Sequence, residues 1–313
     1  VHCRGSSGCI TFKADEMIYM GLAFAFCMSL FSCTGAAEKK PPAADEKSIS
    51  ATGYNLSSPD RTIKLPPVLN EVSGIALLDS TTVACVQDEN GVIFFLNLKK
   101  GEINNQFFFH SPGDYEDIAR AGNSFYVLRS DGVLFRVMHD ESPGSLKKSF
   151  SSGVPVNEYE GLCYHSRNNI LLITPKHKPG KDYEHEGKHP VYGFDLRSGT
   201  PLVKTVFDLD LKEIREYAAE NKIKTSGDDS RIRFKPSAIG IHPLTNELFV
   251  LSSVERMLFV FDINGKIRQI EKLDKDIFNM PEGISFWENG DMIISNEGHK
   301  NHPTILIFKY RQQ

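Results

Sequence analysis

A five-residue phrase recurs five times along the chain, as Val72-Ser73-Gly74-Ile75-Ala76, Tyr115-Glu116-Asp117-Ile118-Ala119, Tyr159-Glu160-Gly161-Leu162-Cys163, Pro236-Ser237-Ala238-Ile239-Gly240 and Pro281-Glu282-Gly283-Ile284-Ser285. Its second residue advances from Ser73 to Glu116, Glu160, Ser237 and Glu282, in steps of 43, 44, 77 and 45 residues. A period of about 40–45 residues is that of a four-stranded propeller blade. The repeat therefore predicts an all-β chain, a five-bladed β-propeller.

The runs between the phrases fit that reading. In the first unit, Val72 to Leu78 is followed by Thr82 to Val86, a turn at Asp88-Glu89-Asn90-Gly91, then Val92 to Leu96 and Ile103 to Phe109. Asn-Gly between apolar runs is a strong hairpin signal, because both turn positions favour positive φ. The 77-residue step admits either a sixth blade without the phrase or one blade with insertions, and insertions account for it better. Ile170 to Thr174, Val191 to Asp195 and Pro201 to Phe207 supply the remaining strands, with a charged loop over Lys176 to Pro190. Leu211, Ile214, Tyr217 and Ala218 then follow helical spacing behind a capping Asp210, which predicts one inserted helix over about Leu211 to Glu220. The last unit has three strands, so Arg61 to Leu65 is expected to supply its fourth and close the ring, pairing edges that would otherwise stay open.

The segment before the repeats bears on location. Gly21 to Phe31 is an apolar run too short to span a bilayer, and it ends at Leu30-Phe31-Ser32-Cys33 with small, polar and charged residues following at once. This reads as a bacterial lipoprotein export signal over residues 1–33, with Cys33 as the lipidated residue. Residues 34–60 hold little that is large and apolar beyond Tyr54 and Leu56, so they read as a flexible tether, with the propeller over 61–313. The expected setting is extracytoplasmic, on the outer membrane, as a monomer. A formal net charge of -4 without a basic stripe leaves no footprint for nucleic acid. Cys85 and Cys163 sit in apolar strand contexts, where a free cysteine packs as a small hydrophobe.

Only three phrases carry a carboxylate, Glu116, Glu160 and Glu282, while Ser73 and Ser237 take the same place in the other two. Inner strands of a propeller border its central channel, so these five residues are expected to face one mouth. Two carboxylates about 4 Å apart repel by roughly 4 kcal/mol at an effective dielectric near 20, so three together need compensation. One solution is a divalent cation, and calcium suits it because it accepts six to eight oxygens in flexible geometry. Asp88, Glu89 and Glu297, at the ends of second strands, are candidate further donors. The other solution is local pairing with backbone amides, Arg129 or Lys176. His177, His185 and His189 share one polar loop and lack a fixed further ligand. No Gly-x-Ser-x-Gly elbow, His-Glu-x-x-His or phosphate-binding glycine loop occurs.

The phrases Tyr-Glu-Gly-Leu and Pro-Glu-Gly-Ile resemble the SdiA-regulated family of extracytoplasmic bacterial propellers, distantly like NHL-repeat propellers. So do the run from Phe234 to Pro243 with Leu248 to Ser253, and the ending Ile293-Ile294-Ser295-Asn296-Glu297. The likeness runs over about Glu71 to Tyr310. It implies five blades, a calcium site and no established reaction. Ser73 and Ser237 depart from the family's glutamate, and Asp117 and Ala238 from its glycine. Three functions stay open: a calcium-binding, lipid-anchored protein that binds an envelope protein or glycan, a hydrolase of phosphate esters or lactones using a channel-bound calcium as Lewis acid, and a purely structural interaction module whose channel holds water.

Overall fold

The computed structural model of the chain describes residues 50–139, 148–155, 158–177, 187–224 and 232–312. Cys33, the export signal, most of the tether and His185 lie outside the described residues. Strand β1 (Arg61–Lys64) comes first, and four complete blades follow. Blade one is β2 (Val72–Leu77), β3 (Thr82–Gln87), β4 (Val92–Asn97) and β5 (Glu102–Phe108). Blade two is β6 (Tyr115–Ala121), β7 (Ser124–Arg129), β8 (Val133–Met138) and β9 (Lys148–Ser151). Blade three is β10 (Tyr159–His165), β11 (Ile170–Pro175), β12 (Lys188–Asp195), β13 (Thr200–Pro201) and β14 (Phe207–Asp210), with helix α1 (Leu211–Glu220) behind it. Blade four is β15 (Ala238–Ile241), β16 (Leu248–Ser252), β17 (Met257–Phe261) and β18 (Ile267–Lys272). Strands β19 (Pro281–Phe286), β20 (Met292–Asn296) and β21 (Thr304–Phe308) form blade five, and β1 pairs antiparallel with β21 as its fourth strand. Inner strands touch around the ring, β2 with β6 and β19, β10 with β6 and β15, and β15 with β19. This is the five-bladed propeller with N-terminal closure that the repeat predicts.

Alternation of apolar residues decides where the core lies. Each blade buries both faces against its neighbours, giving five apolar clusters, one between each adjacent pair of blades. Helix α1 buries Ile214 and Ala218 in the cluster between blades three and four. Asp210 caps it by accepting from Lys212 N at 2.8 Å and Glu213 N at 3.2 Å, which satisfies amide donors that the first turn leaves without partners. Tyr217 Oη donates to Gln269 Oε1 in β18 at 3.0 Å, tying the helix to blade four. Cys85 and Cys163 are free and buried in separate blades. Among the described residues no helix is long and apolar enough to cross a membrane.

Three details differ from the sequence expectation. The fourth strand of blade three is split: Thr200–Pro201 pairs with the end of β12 and Phe207–Asp210 with its beginning. The chain between leaves Leu202 and Val203 exposed. Second, β12 starts at Lys188, so His189 belongs to a strand and is fully buried, its Nε2–H donating to Pro175 O at 2.9 Å. Third, the end of the expected tether is folded. Tyr54 is fully buried, donates its hydroxyl to Gly290 O at 2.5 Å, and packs against His242, Phe249 and Tyr310. Leu56 is buried in the same cluster, and Arg311 N donates to Gly53 O at 2.9 Å, so the segment is docked at several points.

Candidate functional site

The recurring phrase is a β-bulge. In β6 the register passes from Tyr115 opposite Arg129 to Asp117 opposite Leu128, so Glu116 has no partner across the ladder. Glu160 and Glu282 are skipped in the same way, between Tyr159 and Gly161 and between Pro281 and Gly283. In β2 the skip covers Ser73 and Gly74. A bulge frees one residue from the ladder and re-aims its side chain, and here it turns the carboxylates into the channel. Glycine follows because the side chain opposite it on the blade's second strand leaves no room for a Cβ. A Cβ on Gly161 would lie 2.6 Å from Thr174 Cγ2, and one on Gly283 would lie 2.4 Å from Ser295 Oγ. Blade four starts its ladder at Ala238 without a shift, so Ser237 instead donates its hydroxyl to Pro281 O of blade five at 2.8 Å.

Asp117, which stands where other phrases have glycine, is a structural crosslink. It is buried, and its carboxylate accepts from Ile118 N at 2.8 Å and from Leu162 N of blade three at 2.7 Å. It fits because Gly74 faces it, where an added Cβ would lie 2.4 Å from Asp117 Oδ1. Burial, despite those two amides, holds its carboxyl well above the usual range.

The five inner strands enclose a cavity of about 380 Å³ at the mouth where the phrases begin. Glu116, Glu160, Glu282, Asp88 and Glu297 line it together with Ser73 and Ser237. Glu89 does not; it is exposed, and its main-chain carbonyl accepts from Gly113 N at 3.0 Å. Asp114, Glu158, Lys176, Lys235 and Ser253 complete the wall. Asp114 and Glu158 lie two residues before Glu116 and Glu160, on the same face of an extended chain, and Lys235 stands likewise before Ser237. That period of two was the signal available in the sequence.

Lys176 is the central counter-charge. Its ammonium lies against the buried Glu160 carboxylate and 3.4 Å from Glu158 Oε1, and His177 Nε2 is 3.4 Å from the other Glu158 oxygen. Arg129 instead forks onto Asp131 at 2.9 and 3.0 Å. Of the two pairings considered from sequence, only the one with Lys176 reaches the phrase glutamates.

The remaining acids are poorly compensated. Loss of water, then Glu160 and Asp114, push the Glu116 carboxyl up to about 10. Loss of water, then Glu160 and Glu297, hold Glu282 well above the carboxylate range, while Ser253 opposes this by donating to it. Desolvation with Asp88 and Glu71 lifts Glu297 to about 7, and desolvation with Glu71 and Glu89 lifts Asp88 to about 6. Asp88 Oδ1 is buried without a hydrogen-bond partner among the described residues. Desolvation also raises Glu160, against the pull of Lys176. Seven carboxylates thus share the wall with two lysines.

The donor set is all oxygen, which matches a hard cation and not a soft transition metal. Among the described residues, no group of three or more His, Cys, Asp or Glu side chains is already arranged to hold a metal ion. Donor chemistry and excess charge fit calcium, and the carboxylates would have to close around it.

Solved structures similar to this chain are propellers of low sequence identity. Glutaminyl cyclase of Myxococcus xanthus matches with 11% identity and a TM-score of 0.55, over 80% of this chain and 95% of that one. A nidogen/laminin complex matches with 13% identity and a TM-score of 0.46, over 77% and 86% of the two chains. Streptogramin B lyase matches with 13% identity and a TM-score of 0.42, over 76% and 66%. No curated protein matches the chain. The SdiA-regulated family model matches residues 46–301, which takes in blades one to four and the first two strands of blade five, and the chain belongs to that family.

Proposed function

We propose that the protein is a calcium-binding, lipid-anchored propeller that serves the bacterial cell envelope as a binding protein, taking its partner, an envelope protein or glycan, at the acidic mouth. The observation that carries this reading is the bulged glutamate repeated in three blades, which places buried carboxylates around one cavity in excess over two lysines. Carboxyls crowded this closely ionise together only when a cation takes the place of their protons, and an all-oxygen wall favours a hard one. Glu116, Glu282, Glu297 and Asp88 would hold the ion, while Glu160 stays with Lys176. A bound calcium would neutralise the mouth and offer open coordination positions to the oxygens of a partner. The apolar run Gly21 to Phe31 before Cys33 supports the anchor.

Equilibrium dialysis of the protein against labelled calcium tests the metal. About one ion per chain is expected, with binding lost when Glu116 and Glu282 are both changed to Gln. Unchanged calcium uptake in that double variant would place the ion elsewhere.

A further inference from the structure

The other end of the inner strands encloses a second cavity, of about 450 Å³. Its wall joins apolar side chains, Ile118, Leu162, Cys163, Ile241, Ile284 and Phe286 from four of the inner strands, to polar ones, Arg120, Ser166, Arg167, Asn246 and Glu288. An adjoining cleft of about 680 Å³ runs outward between blades one and five past Trp287. The two meet at a saddle where both are lined by Leu77, Arg120, Phe286 and Glu288.

Arg120 is held over this saddle by neutral groups. Its Nη1 donates to Leu78 O of blade one and its Nε to Gly122 O at 3.0 Å. Among the described residues no carboxylate lies within ion-pair distance of it, Glu288 on the same rim included. Arg167 also lines the inner cavity, and among the described residues it forms no ion pair. Two backbone carbonyls thus fix the guanidinium while leaving three of its five donors and its whole charge for something else. A guanidinium fork matches a carboxylate bidentately, and a cavity of this size that sets apolar side chains beside placed polar groups has the form of a small-molecule site. The rim carboxylate of Glu288 disfavours a dianion such as a phosphate monoester.

We propose that this cavity binds an amphipathic monocarboxylate, its head on Arg120 and its alkyl tail along the apolar side chains and over the saddle. The site lies at the opposite mouth from the acidic residues and does not depend on a cation there.

Trp287 is the chain's single tryptophan and lines the cleft, so its fluorescence reports on occupancy. The purified full chain would be titrated with decanoate below its aggregation concentration, and with decanol and decyltrimethylammonium as matched tails. A saturable change with decanoate is expected, with decanol at least tenfold weaker and the cation weaker still. Arg120→Met should weaken decanoate at least tenfold, while Arg120→Lys, which keeps the charge without the fork and serves should the Met variant misfold, should bind with an affinity between the two. Glu288→Gln should tighten it. No saturable response, or equal responses to decanoate and decanol, would overturn the proposal. So would a well-folded Arg120→Met protein with undiminished affinity.

Discussion

Lys176 sets the electrostatics of the acidic mouth, because Glu160 is only 6% exposed and has this ammonium as its counter-charge. Removing one member of a buried pair leaves an uncompensated charge, worth roughly 3–5 kcal/mol in full burial. Lys176 retains a third of its side chain in solvent, and screening lowers the expected loss for Lys176→Met to about 1–3 kcal/mol. Urea unfolding should show this loss and its recovery by at least half in the Lys176→Met, Glu160→Gln double variant. Two buried histidines set the acid limit of stability. Burial lowers His189 and His242 from 6.5 to about 4, so both are neutral in the folded protein near neutral pH. The unfolded chain binds those protons first, so their contribution is fully present above about pH 6.5 and is lost as pH falls towards 4. Melts across that window should fall more steeply for the wild type than for His242→Gln, compared relative to each protein's own value at pH 7. Equal slopes would remove His242 from this account.

Among the elements, the innermost strands were the most legible, because the bulge imposes the same demand on each blade: a residue freed toward the channel and then one small enough for the side chain opposite it. That demand writes a phrase into the sequence at blade spacing. Asp117 shows its limit. As a sequence it looks like decay of the phrase, whereas in the fold it is matched by the space above Gly74 and crosslinks two blades. Helix α1 was legible to the residue because its cap and its apolar stripe are local. The split of the fourth strand in blade three was not, since both halves of β12 accept a partner and nothing local says where the chain departs. Nor were Asp114 and Glu158 singled out, because a turn acid looks the same in sequence whether it faces water or a cavity. Tyr54 was hidden by its polar neighbours. Its burial against His242, Phe249 and Tyr310 predicts that Tyr54→Ala costs about 3–5 kcal/mol, as large-to-small aromatic changes in cores do. A chain begun at Arg61 should therefore melt lower than one begun near Ser48. If the two melt together, the N-terminal segment contributes nothing to the ring.

At the scale of the whole molecule, the ring closes through β1 and β21, which completes blade five, and its channel has two chemically distinct ends. One is lined by carboxylates that outnumber the lysines, the other by apolar side chains together with Arg120, which two backbone carbonyls hold, Arg167 and Glu288. Truncation past Lys64 would expose β21 as an open edge, and the expected outcome is aggregation in place of a cooperative melt. The central claim is that the acidic end is built for a cation. Anything that binds the native state alone raises stability by an amount set by its concentration over its dissociation constant, about 2.7 kcal/mol at a hundredfold excess. The most direct measurement is the thermal melt of chelator-treated protein at pH 8, titrated with calcium or with magnesium. Tm should rise with calcium in a saturable way, rise less with magnesium, and no longer respond when Glu116 and Glu282 are both Gln. A wild-type melt indifferent to calcium would contradict it, and would leave Lys176 and protons as the compensation for the carboxylates.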